Sequence, residues 1–294
     1  MTQLSTSKIP DGFAEKTARV NGITLNYAMG GAGPTVVLLH GYPQTWYMWR
    51  KVMPALAGHY TVIAPDLRGS GGSDAPAGGY DKATLAEDIR QLLLALGRAD
   101  QVSVVGHDIG TTVSYAYAAA HPDSVRRLAL LEGPQFDETL YQFPAITPAG
   151  PGFWNFGFFT LDNGLPERIV QGREDIWVEG FVDWLELVKG GVDGHAIAEY
   201  ADHLRRPGHL RASYEYFRAF PRDVEDTIRN RGTTLAMPVL AIGAQYSEGA
   251  FVPQQVSQYA MNVTGVVVPD SGHWIYEEHP AEMTQILLDF LQKS

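Results

Sequence analysis

The run Val102-Ser103-Val104-Val105 passes directly into Gly106-His107-Asp108-Ile109-Gly110, and no other stretch limits the fold as tightly. A buried strand has to turn into a helix within about one residue here. The residue at the tip of such an elbow is pushed into a strained backbone conformation, so its neighbours at minus two and plus two must be small. Gly106 and Gly110 meet that need and leave Asp108 alone at the tip. Elbows of this kind usually present a serine. A carboxylate in its place points to attack on saturated carbon, because displacing a leaving group there produces an alkyl ester. An aspartate is already ionised at neutral pH and needs no base for that step.

The rest of the chain is patterned to support such an elbow. Residues 35–39, 61–64, 102–105, 128–131, 238–242 and 264–268 form short runs that are apolar throughout. Parallel strands covered on both faces read this way. Leu85, Ile89, Leu92, Leu93 and Leu96 predict a helix over 84–96, stopped by Gly97. Further helices are expected over 111–120, before His121-Pro122, and over 281–292. The fold class is therefore α/β, a doubly wound and mostly parallel sheet. Between about 134 and 234 the rhythm breaks. This aromatic segment carries helical patterns over 166–189, 194–205 and 208–219 and no clear strand. The strand pattern resumes at 238 as if never interrupted. Residues 1–134 and 235–294 are thus expected to form the core, and 135–234 an inserted helical cap over the carboxyl edge of the sheet.

Charge and composition narrow the function. The net charge of −11, with no basic run, speaks against nucleic-acid partners. With no cysteine, disulfides and thiol catalysis are excluded. Met1 to Lys8 lack the apolar centre of a signal peptide, and no apolar stretch approaches the roughly 20 residues of a membrane span. A cytoplasmic location without a membrane partner is expected. Gly69 to Gly72 do not follow a nucleotide-binding pattern, and His195, His203 and His209 lack metal-ligand spacing, so neither cofactor nor metal is expected.

Four signals then arrive in order, each at the carboxyl end of an expected strand. They are His40-Gly41-Tyr42-Pro43, Asp66-Leu67-Arg68-Gly69, the elbow at 106–110, and Ser271-Gly272-His273-Trp274. Doubly wound sheets place their ligands at those ends. With Gln44-Thr45-Trp46-Tyr47, Glu132 before Gly133-Pro134, Tyr141-Gln142-Phe143-Pro144-Ala145, Trp154 with Phe158-Phe159, and Ser213 with Glu215-Tyr216, these stretches resemble the α/β-hydrolases of the epoxide hydrolase and haloalkane dehalogenase branch. The resemblance spans nearly the whole chain and is strongest to the Cif-type bacterial epoxide hydrolases.

This likeness implies a set of roles. Asp108 attacks carbon, and His273 activates the water that attacks the resulting ester. The backbone N–H groups of Tyr42 and Ile109 would hold the oxyanion. A histidine base needs an acid to hold its tautomer. Glu132 is preferred for that task over Glu248, which lies past the strand at 238–242. Cif-type enzymes place a histidine and a tyrosine in the cap to serve the leaving group. Here those positions hold Asn155, after Trp154, and Phe217, before Arg218. Asparagine can donate a hydrogen bond but not a proton, and phenylalanine can do neither. Tyr214, one helical turn before Phe217, is the expected replacement donor, with Tyr216 about 100° around the helix. Trp154 and Trp184 offer indole N–H groups. His107 and Trp46 are expected in the wall of an apolar pocket. Haloacetate dehalogenases carry an arginine after the nucleophile, and Ile109 in its place argues against a small acidic substrate. The expected activity is hydrolysis of a small apolar epoxide. The alternatives are a carbon–halogen hydrolase, or a family member without ring opening that acts as a cyclase, isomerase or small-molecule binding protein. A homodimer is left open, since relatives often dimerise but no self-complementary face is visible in the sequence.

Overall fold

Asn21 and Gly22 both take positive φ, 46° and 80°, as the two-residue turn that suits the twist of paired strands requires. They join β1 (Phe13–Val20) to β2 (Ile23–Gly31) in antiparallel register, with Val20 opposite Ile23. Apolar runs do not reveal this pair, because β1 lies mostly exposed at the sheet edge. The Asn-Gly pair was the signal for it. The computed structural model describes residues 9–148, 150–232 and 234–293.

The apolar runs become β3 (Thr35–Leu39), β4 (Thr61–Pro65), β5 (Val102–His107), β6 (Val125–Leu131), β9 (Val239–Ala244) and β10 (Val263–Val268). A small antiparallel ribbon, β7 (Ile146–Thr147) with β8 (Gly150–Pro151), stands apart in the segment read as strand-free. The large sheet has the order β1-β2-β4-β3-β5-β6-β9-β10. It is parallel from β4 to β10, and β2 meets β4 antiparallel. β3, β4, β5 and β9 are buried along their whole length, as their composition requires. β10 departs from that expectation. It is the far edge of the sheet, and of its residues only Val268 is fully buried. A run of valines reports strand propensity here, not two covered faces.

The chain leaves β3 for β4 on one side and returns to β5 on the other, so β3 has both as neighbours. A crevice opens at such a reversal, outside the carboxyl ends of the strands. Asp108 follows the end of β5 directly, and Tyr42 lies three residues past the end of β3. The helices Lys82–Ala95, Ile109–Ala120 and Pro280–Gln292 fall where the apolar periods place them.

Between β6 and β9 the described residues form six α-helices: Trp154–Phe159, Leu165–Val170, Glu174–Leu185, Gly194–Leu204, His209–Arg218 and Phe220–Asn230. The single helix expected over 166–189 is two, broken at Gly172, where φ is 81°. The helix Phe220–Asn230 was not anticipated, although Pro221 in its first turn is a start signal. Among the described residues no helix is long and apolar enough to cross a membrane.

Candidate active site

Asp108 has φ 54° and ψ −123°, so the strain expected at the elbow is present. Its surroundings tolerate only glycine. A Cβ on Gly106 would lie 2.1 Å from the carbonyl oxygen of Gly110, and one on Gly110 would lie 2.2 Å from that of Leu39. A Cβ on Gly41 would fall 2.2 Å from Asp108 Oδ1. The sequence marks small flanks around Asp108, but the demand on Gly41 arises only when β3 and β5 lie side by side.

The carboxylate is held asymmetrically. Oδ1 accepts the N–H of Tyr42 at 2.7 Å, and the N–H of Ile109 also bonds the carboxylate. Oδ2 lies 3.6 Å from His273 Nε2, beyond hydrogen-bond range. His273 Nδ1 is 3.1 Å from Glu132 Oε2, and Glu132 Oε1 accepts the N–H of Ala244 at 2.5 Å. Glu132 is fully buried, so its charge depends on those partners. With Nδ1–H donated to the carboxylate, Nε2 is the free base, and it faces Asp108. Among the described residues, Glu248 forms no hydrogen bond or ion pair with His273. It lines the cavity, and burial, followed by the charges of Glu132 and Asp108, raises its pKa well above the carboxylate range.

Burial disfavours charge on both Asp108 and His273, and the outcome differs between them. It raises the Asp108 pKa, against the opposing pull of His273 and the two N–H bonds. It pushes the His273 pKa down, but the Glu132 hydrogen bond and the charges of Asp108 and Glu132 outweigh it, and the net shift is upward.

The cavity above these groups holds about 550 Å³. Tyr42, Asp108, Ile109 and His273 line its sheet side, and Asn155, Phe156, Phe181, Trp184 and Phe217 line the opposite side. Asn155 and Phe217 thus stand where the leaving group was expected to be met. Five other expected pocket residues do not line the cavity. Tyr214 is fully buried and stacked on Phe159, with ring centroids 5.1 Å apart. It shares a helix face with Phe217, but one turn earlier that face packs into protein. The Tyr216 hydroxyl donates to the Arg68 carbonyl. Trp154 packs on Trp184 and lines a separate hollow of about 320 Å³. Trp46 is buried edge-on to Tyr47. His107 is fully buried, and its Nε2–H donates to the His273 carbonyl at 2.9 Å. Burial holds that ring neutral.

Sequence reasoning missed the Tyr42 side chain. Its hydroxyl accepts the indole N–H of Trp177 at 2.7 Å, from the helix Glu174–Leu185. The tyrosine was visible in the sequence, but only its backbone N–H entered the reading. Among the described residues no group of three or more His, Cys, Asp or Glu side chains is placed to hold a metal ion.

Known proteins share this frame. Residues 34–164 match the family described as the alpha/beta hydrolase fold. The chain is 34% identical over 285 residues to the soluble epoxide hydrolase of Corynebacterium sp. (strain C12), a match covering 93% of this chain and 95% of that one. It is 32% identical over 292 residues to the fluoroacetate dehalogenase of Burkholderia sp., covering 96% of this chain and 94% of that one. The crystal structure of the Cif epoxide hydrolase from Acinetobacter nosocomialis superimposes with a TM-score of 0.91, over 96% of this chain and 90% of that one. At 24% identity that last likeness shows the fold alone.

Proposed function

Because the chain belongs to the α/β-hydrolase family, in its branch of epoxide hydrolases and dehalogenases, we propose that it hydrolyses a small apolar epoxide through an alkyl ester on Asp108. One observation carries this reading. Asp108 Oδ1 accepts the Tyr42 N–H, while Oδ2 stands 3.6 Å from the His273 base on a carboxylate that lines the cavity.

Oδ2 attacks the less hindered ring carbon, and the C–O bond of the ring breaks. The departing oxygen takes a proton from a protic group of the cavity or from water. His273 Nε2 then removes a proton from a water molecule, whose oxygen attacks the ester carbonyl carbon. Oδ1 carries the negative charge of the tetrahedral intermediate, held by the Tyr42 N–H that it already accepts and by the Ile109 N–H that also bonds the carboxylate. Collapse breaks the ester C–O bond, and the departing oxygen takes the proton held by His273 to give the diol. The proton of the new carboxyl group passes through water to the group that protonated the first oxygen, which restores the carboxylate and the neutral base. Glu132 holds the histidine tautomer throughout and offsets the imidazolium charge. Residues 135–234 act as the cap that closes the cavity over the substrate.

A second reading rests on a specific observation. Among the described residues, the cap-side lining includes Asn155 and Trp184, which carry N–H groups, but no tyrosine or histidine. N–H donors suit a halide better than an alkoxide. A carbon–halogen bond in an apolar substrate would then be broken by the same Asp108 attack.

The test is intact-mass analysis of a His273→Gln variant incubated with panels of epoxides and halogenated alkanes. Without the base the ester persists, so a substrate-sized adduct on Asp108 is expected. No adduct across a broad panel would overturn the covalent mechanism. Diol or free halide from the native enzyme then separates the two readings.

A further inference from the structure

Of the buried carboxylates that the steps above leave unused, Glu278 is hydrogen-bonded to the histidine loop. Glu278 lies five residues past His273, and its side chain turns back onto the histidine loop. Oε1 accepts the N–H of Trp274 at 3.1 Å, and Oε2 accepts that of Gly272 at 3.0 Å. Both chain neighbours of His273 are thus held by a single side chain. The same Oε2 accepts the N–H of Leu187 at 3.1 Å and of Val188 at 2.9 Å, just past the helix Glu174–Leu185. Two further bonds join the same partners. The His273 N–H donates to the Leu185 carbonyl at 3.0 Å, and the Trp274 indole donates to that of Val182 at 3.1 Å. The fit is close enough that a Cβ on Gly272 would lie 2.5 Å from the Leu185 oxygen and 2.9 Å from Glu278 Oε1. Leu185 and Leu187 also line the cavity, so this clamp runs from the substrate wall to the base.

An anionic acceptor serving four backbone donors in a dry site is a strong and directional anchor. Withdrawing it would leave buried N–H groups on both sides without partners. We propose that Glu278 is a positioning residue that couples the seating of segment 185–188 to the placement of the His273 base. The inference rests on the covalent reading above. It means that the 550 Å³ cavity cannot open along this wall without loosening the loop that activates water. The negative charge of Glu278 also adds to the upward shift of the His273 pKa, behind the larger effects of Glu132 and Asp108.

The test compares Glu278→Gln and Glu278→Asp with His273→Gln, using one substrate that labels Asp108. Glu278→Gln should alkylate Asp108 at close to the native rate and hydrolyse the ester on the order of 10²-fold more slowly, as a misplaced base would. The adduct should then accumulate, and the acid limb of kcat should move to lower pH. Glu278→Asp keeps the charge but shortens the reach, so it should accumulate the adduct without moving that limb. It carries the test if the glutamine variant does not fold. Native ester hydrolysis in the folded variants, or equal slowing of both steps, overturns the inference. An adduct in His273→Gln with none in either Glu278 variant removes this inference alone. No adduct in His273→Gln removes the covalent reading, and the inference falls with it.

Discussion

On the sheet side of the cavity, the groups beside the reacting carbon are bonded to neighbours that the strands hold in place. Asp108 Oδ1 meets the Tyr42 N–H, His273 meets Glu132, and Glu132 meets the Ala244 N–H. On the cap side the wall is mostly aromatic rings, and the Asn155 Oδ1 has no hydrogen-bond partner among the described residues. Strand ends place atoms reproducibly because the sheet ladder fixes their spacing, whereas a wall of packed rings can change its polar groups without disturbing the sheet. Under the proposed mechanism the difference assigns the attack and the ester hydrolysis to the sheet, and the choice of leaving group to residues 135–234.

The sharpest way to break this division is Asp108→Ala. Turnover should fall on the order of 10⁴-fold or more, as when an essential nucleophile is removed; near-native steady-state rates would end the argument. Glu132→Gln should lower kcat on the order of 10³-fold by leaving His273 without its orienting carboxylate. Rapid-quench analysis should place the loss in ester hydrolysis rather than alkylation. The pH dependence sharpens the same side. In the proposed mechanism His273 acts only when neutral, and its hydrogen bond to Glu132 and the nearby carboxylate charges raise its pKa above the ordinary imidazole value. Activity limited by ester hydrolysis should therefore fall as pH drops through the histidine pKa. In the ester the Asp108 charge is gone, so the acid limb of kcat should lie below the imidazole pKa measured by NMR in the free protein. A limb at or above that value would contradict the assignment.

The cap side calls for smaller effects. Phe217→Tyr places a proton donor on the cavity wall and should speed epoxide opening by about 10-fold, at the modest end for acid catalysis, with little change in halide release. Equal gains with both substrates would blur the proposed division. Tyr214→Phe should change turnover by less than about twofold, as substitutions away from a site usually do, because its buried ring does not line the cavity. A larger loss in kcat would restore it as a donor.

The buried parallel strands and the elbow were legible because each rests on local rules, two covered faces for the strands and small flanks for the elbow. The hairpin β1–β2 is written in Asn21-Gly22 but not in apolar runs, because β1 is mostly exposed. The break at Gly172 was equally local. The cap pocket was not legible in this way. Tyr214, Trp154 and Phe217 are all large aromatics on helices, and helical spacing cannot tell a ring that faces a cavity from one that faces its neighbours.

By itself the sequence determined a parallel α/β sheet with a carboxylate at its elbow, since glycines, β-branched runs and turn residues act within a few positions of themselves. Only the tertiary structure decided that Glu132 rather than Glu248 meets His273, that Gly41 must lack a side chain, and that Glu278 binds the histidine loop to the segment above it. Those relations join residues far apart in the chain, and each depends on distances that exist only once the sheet and the cap helices have packed together.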